Sequence, residues 1–300
     1  MIYGKPAVTI ADQVGILQAR GLTITDPVEA ARSLDTISYY RLAGYWWPMQ
    51  ADKVNHVFKL GSRFDTVINL YNFDRELRLL VFDIIERIEI SLRTRLIYIF
   101  SLAHSPWWFE DHALFNNAGQ HNQNLLRIND ELDRSKDPFI KDHRARYTTD
   151  ARRPPAWKTL EVLSLGLLSR LYGNLRSAVA ETDAVAQRFQ VFNQTYLHSW
   201  LQCITQVRNV CAHHSRLWNR NITVVPRRIN KPPAHLAFAP PRQPNKLYTA
   251  LACMKYLLHS VDPSNVVTQR LIDLLAKYPE VDPAAMGFTK DWQQEPLWQN

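Results

Sequence analysis

The sequence has little glycine and cysteine and no long apolar segment. Only 9 of its 300 residues are glycine, which argues against a turn-dense β fold. Its three cysteines, Cys203, Cys211 and Cys253, are odd in number and lack paired spacing, so we expect free thiols rather than a disulfide framework. The longest apolar stretch, 96–103, is far shorter than the roughly 20 residues that span a bilayer. The N terminus also lacks a signal-peptide pattern, and together these absences predict a cytoplasmic protein without a membrane partner.

What the sequence does have is an excess of positive charge. The formal net charge is +8 and the isoelectric point is near 9.4. Such a balance favours a polyanionic partner such as RNA. A basic enzyme that never meets a nucleic acid is about equally compatible with charge alone.

Helical periodicity dominates the chain and predicts an all-α helical bundle with at most a minor β-hairpin near Val57 and Phe58. We expect an N-terminal helical and aromatic extension over 1–61, a helical core over 62–260, and a C-terminal helix with an aromatic tail over 261–300. The core contains a proline-rich basic loop, 226–244, which includes Arg242. The longest predicted helix runs from Ser62 to about Ser101, whereas 39–48 and 102–155 are expected to be irregular.

One short motif carries most of the chemistry. Arg208, Asn209 and His213 lie near the end of a predicted helix, about 194–215. An arginine fork can bind a phosphate, and a histidine can transfer a proton near neutral pH. Asn209 and His213 are four residues apart and share a helix face. The alternative is structural: Arg208 could pair with Glu86 or Glu89 and only link two helices.

The spacing Arg208-x4-His213, with a polar residue after the arginine, resembles the signature of the HEPN superfamily of helical ribonucleases. A wider set of segments resembles the Abi-like (abortive infection, AbiD/AbiF type) proteins. These segments are 12–14, 20–22, 39–46, 71–78, 85–90, 161–166 and 208–220. The resemblance implies a helical bundle, a role in defence against phage or in a toxin–antitoxin pair, and a homodimer that brings two motifs into one site.

The resemblance also implies a metal-independent endoribonuclease without a cofactor, in which Arg208, Asn209 and His213 are catalytic. Further RNA contacts are expected from basic residues along the chain: Arg152, Arg153, His214, Arg216, Arg220, Arg227 and Arg228. Two alternatives stay open. The protein could bind a structured non-coding RNA with an idle or inhibited site, or it could be a helical scaffold for a partner protein, which the aromatic tail with Trp292 and Trp298 would favour.

Overall fold

The structure, a computed structural model, describes residues 2, 4, 6–239 and 243–299. Within these residues there are twelve α-helices and a single two-stranded sheet, so the predicted all-α fold is confirmed. The chain divides into two compact units. The first comprises Met1–Arg78 and Leu271–Asp282, and the second comprises Leu79–Arg270 and Pro283–Asn300. No helix in the described residues is both long and apolar enough to cross a membrane.

The first unit begins with three short helices whose starts are set by capping residues. Thr9 and Asp12 form a capping box at the start of α1, and Asp26 accepts two backbone N–H groups at the start of α2. The expected break at 39–48 was wrong in its first part, because the Ser38 side chain caps a third helix. The bounds are α1 Ile10–Ala19, α2 Pro27–Ile37 and α3 Tyr39–Trp46.

A hairpin and a long helix follow. The strands β1, Gln50–Asp52, and β2, Val57–Phe58, are antiparallel and lie at the predicted place. Helix α4, Phe64–Ala103, is 40 residues long. Near its start the Asp74 carboxylate is fully buried and accepts a hydrogen bond from the Tyr45 hydroxyl at 2.6 Å and another from Arg78. Asp74 and Arg78, which are four residues apart on α4, therefore form a buried ion pair.

The second unit is a helical assembly in which α10 packs against α8, α9 and α11. The expectation of irregular structure over 102–155 was wrong, because Asn117 caps a seventeen-residue helix there and another short helix follows. The bounds are α5 Ala118–Arg134, α6 Pro138–Arg146, α7 Ala156–Thr159, α8 Leu165–Gly173, α9 Ala180–Arg188, α10 Gln194–Ala212 and α11 Leu247–His259. The last helix, α12 Val267–Lys277, begins in the second unit, and its residues from Leu271 onward belong to the first.

The aromatic tail is buried rather than exposed. Trp292 and Trp298 are 5% and 3% exposed, and the Trp298 indole donates a hydrogen bond to the Tyr248 hydroxyl at 3.0 Å. Burying such large rings is a strong stabilising contribution. The scaffold alternative therefore loses the exposed aromatic tail that favoured it. In the proline-rich loop 226–244, the residues Pro240, Pro241 and Arg242 lie outside the described residues.

Candidate functional site

The predicted motif lies at the C-terminal end of α10, a helix fixed by its apolar face. Asn193 caps its start, and buried residues from Leu197 to Cys211 recur along its inner face. A glycine permits the close approach of α8. A Cβ atom on Gly173 would lie 2.1 Å from Nε2 of His198 on α10, so a larger residue fits there only if the His198 ring or one of the helices moves. This packing holds the outer edges of α8 and α10 side by side.

Arg208 is half-buried, and among the described residues its side chain forms no hydrogen bond and no ion pair. The expected structural alternative, a pair with Glu86 or Glu89, is not found. A guanidinium stays charged in proteins, and a partly desolvated charge without a partner is unfavourable. The geometry therefore leaves Arg208 available for an anion from outside the chain.

Arg93 on α4 has the linking role that Arg208 lacks. Its side chain is 11% exposed and pairs with Glu89 at 3.0 Å. It also donates to the backbone carbonyl groups of Leu160 at 2.8 Å and Leu163 at 3.0 Å. These two carbonyl groups lie in the connection between α7 and α8, so Arg93 ties α4 to that connection.

Arg208 lines a polar cleft of about 330 Å³ between α8 and α10, called here the α8–α10 cleft. Its lining contains two guanidinium groups, two amides and three hydroxyl groups, and it contains no carboxylate. The lining residues are Ser164, Leu165, Gly166, Ser169, Arg170, Gln202, Thr205, Arg208 and Asn209.

The electrostatics of the α8–α10 cleft suit an anion. Burial lowers the pKa of Arg170, and the nearby Arg127 adds to this effect. The Arg170 side chain has no hydrogen bond or ion pair within the described parts of the chain. The Thr205 hydroxyl is also buried without a partner. The carboxylate of Glu131 acts in the opposite direction and raises the pKa of Arg170. This carboxylate accepts hydrogen bonds from the backbone N–H of Ser164 at 2.8 Å and from the Ser164 hydroxyl at 3.0 Å.

A second cleft, of about 560 Å³, lies on the other side of Arg208 along α4. It differs in charge, because Asp83, Glu86 and Glu89 line it together with Arg93. Its acidic lining would repel a phosphate. Of these two clefts, the α8–α10 cleft is the one that fits a polyanion.

Asn209 and His213 are placed differently from each other. Asn209 lines the α8–α10 cleft beside Arg208. Helix α10 ends at Ala212, earlier than predicted, and His213 is its exposed C-cap residue, whose N–H donates to the Asn209 carbonyl group at 3.0 Å. His213 does not line this cleft. Among the described residues, no hydrogen bond joins the side chains of Arg208, Asn209 and His213.

The segment after α10 adds positive charge. His214 is exposed and has a φ of 53°, a left-handed conformation that redirects the chain. The Arg220 side chain donates a hydrogen bond to the Arg216 carbonyl group at 3.3 Å. Burial is the main cause that lowers the pKa of Lys246, and the charge of Arg216 lowers it further. These three cations, Arg216, Arg220 and Lys246, therefore lie near one another.

The other predicted RNA-binding arginines lie in two places and are differently engaged. Arg152 is exposed, pairs with Asp150 at 2.8 Å and stacks 3.7 Å from the centre of the Trp107 ring. Arg153 is less accessible and pairs with Glu110 at 3.0 Å. Both Arg227 and Arg228 have exposed side chains at the start of the proline-rich loop.

The comparison with protein families gives one match. The sequence model described as Abi-like protein matches residues 32–219, which is more than half of the chain and includes all of α10. The chain belongs to the Abi-like family. Membership of this family suggests a role in abortive infection defence. Neither the search of curated proteins nor that of solved structures gave a match.

Sequence reasoning missed the other residues that line the site on this Abi-like chain, among them Arg170 and Thr205. Arg170 stands in a leucine-rich helix and Thr205 in the middle of α10, and neither has a local motif. Only the packing of α8 against α10 brings them beside Arg208. The one available signal was weak: Gly166, Ser169 and Arg170 are spaced so that they share one face of a helix.

Proposed function

We propose that this Abi-like protein is a metal-independent endoribonuclease of the anti-phage or toxin–antitoxin type. The observation that carries the proposal is the unpartnered, half-buried guanidinium of Arg208 in a cleft lined by Arg170 and Asn209 and by no carboxylate. Such a cleft suits the phosphate backbone of RNA, because arginine binds phosphate oxygens with paired donors.

RNA supplies its own nucleophile, the ribose 2′-hydroxyl. His213 takes the proton of this hydroxyl as its oxygen attacks the phosphorus and the P–O5′ bond breaks, and a water molecule protonates the departing 5′-oxygen. In the opposite role, His213 protonates the 5′-oxygen and water accepts the proton of the hydroxyl. Arg208 stabilises the charge that grows on the non-bridging oxygens. Asn209 positions the phosphate or the imidazole. The products are a 2′,3′-cyclic phosphate and a 5′-hydroxyl.

The exposed position of His213, outside the cleft that holds Arg208, supports a site completed by a second copy of the chain. In a symmetric homodimer, each copy can present His213 to the Arg208 of its partner. Arg216, Arg220 and Lys246 then lie along the path of the RNA backbone. A non-catalytic alternative rests on the same separation: without a histidine beside Arg208, the cleft would hold a structured RNA without cutting it.

The first test is the cleavage of labelled single-stranded RNA in EDTA by the wild type and two variants. We expect Arg208→Ala to lower the rate about 10²–10³-fold and His213→Ala to lower it about 10²–10⁴-fold, with RNA affinity retained in His213→Ala. Products that lack a cyclic phosphate, or equal rates for all three proteins, would refute the proposal. Retention of RNA on a filter without cleavage would instead favour the binding alternative.

Mixing the two inactive variants tests the shared site. If Arg208 of one copy works with His213 of the other, a heterodimer has one intact site, and random exchange should restore about a quarter of wild-type activity. A site within one chain predicts no recovery. Sedimentation of the wild type measures the dimer independently of activity.

A further inference from the structure

The first unit contains a cleft that the proposed ribonuclease does not use. It measures about 670 Å³ and lies among α1, α3 and the β-hairpin. Aromatic and polar side chains line it, and it is called here the aromatic cleft. The residues that define it here are Gln13, Arg20, Tyr39, Tyr40, Trp47 and Gln50.

The polar feature of the aromatic cleft is an unsatisfied amide. Gln50 is 5% exposed, and its Oε1 atom is buried without a hydrogen-bond partner. Within the described residues its side-chain nitrogen makes no hydrogen bond either. Gln13 presents a second buried Oε1 atom without a partner, while its nitrogen donates to the Val8 carbonyl group at 3.3 Å. Buried amides without partners are rare in folded proteins, so a ligand with N–H donors would meet an unfilled need here.

The ring residues indicate the shape of that ligand. Trp47 is 45% exposed and Tyr40 is 92% exposed, which leaves aromatic surface for stacking. Arg20 donates to the Tyr39 hydroxyl at 3.0 Å, and the Lys53 ammonium lies 5.6 Å from the centre of the Trp47 ring. The rings, the amides and the Arg20 guanidinium that line the cleft, with Lys53 beside Trp47, together fit a flat heterocycle that carries a phosphate.

We propose that the aromatic cleft binds a nucleobase, with adenine favoured, through the Gln50 amide on its edge and Trp47 on its face. Adenine presents a donor next to an acceptor, and a glutamine amide matches this pair with two hydrogen bonds. Stacking of bases on aromatic side chains supplies affinity with little dependence on sequence. The base can come from a free nucleotide or from an unstacked RNA residue. Neither case requires the Arg208 site to cut RNA.

Calorimetric titration of the full chain with AMP and with a short oligoadenylate RNA tests the proposal. The RNA titrations use the Arg208→Ala background, so that the α8–α10 cleft contributes little. We expect Gln50→Leu and Trp47→Leu each to weaken binding about tenfold or more. Tyr98→Leu, which removes a 60% exposed ring in the second unit, is the matched control and should leave binding unchanged.

The outcomes separate the two sources of the base. Binding of AMP that depends on Gln50 identifies a free-nucleotide site, whereas Gln50-dependent binding of the RNA alone identifies an unstacked base. Photo-crosslinking of the wild-type protein with 8-azido-AMP, mapped by mass spectrometry, should label peptides within 39–56. This measurement does not depend on whether the variants fold. Absence of Gln50-dependent binding of either probe, or labelling confined to other segments, would overturn the proposal.

Discussion

Replacing Arg93 or Arg208 by alanine should have different effects on the stability of the protein. Arg93 and Arg208 both line the second, acidic cleft of about 560 Å³ along α4, and both are partly buried. They differ in their contacts: Arg93 has three hydrogen-bond acceptors, whereas Arg208 has none among the described residues. Arg93→Ala should therefore destabilise the fold, and Arg208→Ala should leave the fold stable while removing function.

The magnitude follows from the groups that each change leaves behind. Arg93→Ala leaves the carboxylate of Glu89 and the carbonyl group of Leu163 without a donor, and the Leu160 carbonyl group keeps only the Leu163 N–H at 3.2 Å. Unsatisfied acceptors and a broken, nearly buried ion pair together cost about 2–4 kcal/mol. Arg208→Ala removes no such contact, so we expect a change within about 0.5 kcal/mol. For a unit of this size the first change should lower Tm by about 5–10 °C.

Urea unfolding followed by circular dichroism measures both values, and RNA binding by the same samples supplies the functional readout. The critical comparison is between the two variants rather than with a calculated number. If Arg208→Ala lowers the free energy of unfolding as much as Arg93→Ala, then Arg208 has a structural partner. In that case the main support for a phosphate-binding guanidinium would fail.

Two further predictions concern buried polar groups elsewhere in the chain. Burial is the main cause that lowers the pKa of His121 below its usual 6.5, and its ring contacts the Phe109 carbonyl group at 2.8 Å and the His112 ring at 2.9 Å. The unfolded chain therefore binds a proton at His121 more readily than the folded chain does, so the contribution of this residue to stability should be fully present above about pH 6.5 and fall as the pH decreases. His121→Gln should flatten the pH dependence of the urea midpoint, and an unchanged slope would contradict this reasoning. Gln50→Leu should leave Tm unchanged or raise it, because the Gln50 amide oxygen has no hydrogen-bond partner. Gln194→Leu should lower the free energy of unfolding by about 1–3 kcal/mol, because the Gln194 amide donates to two backbone carbonyl groups. Equal losses of stability in thermal unfolding would show that Gln50 is hydrogen-bonded in the folded protein.

Much of the fold could be predicted because its signals are local. Capping by Thr9 and Asp26, and the long period of apolar residues in α4, need no knowledge of the rest of the chain. The predictions failed where aromatic or polar composition hid a helix. In 39–46 a run of rings suggested a break, yet Ser38 caps a helix there. In 118–134 the polar face of an amphipathic helix resembled a loop, although Ile128 and Leu132 are buried on its other face.

The site separates what spacing can predict from what it cannot. Arg208 and His213 could be selected from the sequence, since an arginine and a histidine near one helix end suit phosphate chemistry. That the Arg208 side chain lacks an ion-pair partner could not be predicted, because this depends on Arg93 forming the ion pair with Glu89. Nor could Arg170, which reaches the cleft only through the packing of α8 on α10. An arginine in a helical motif becomes a candidate for phosphate binding when every nearby carboxylate is engaged elsewhere or lies out of reach, and that condition is a property of the fold.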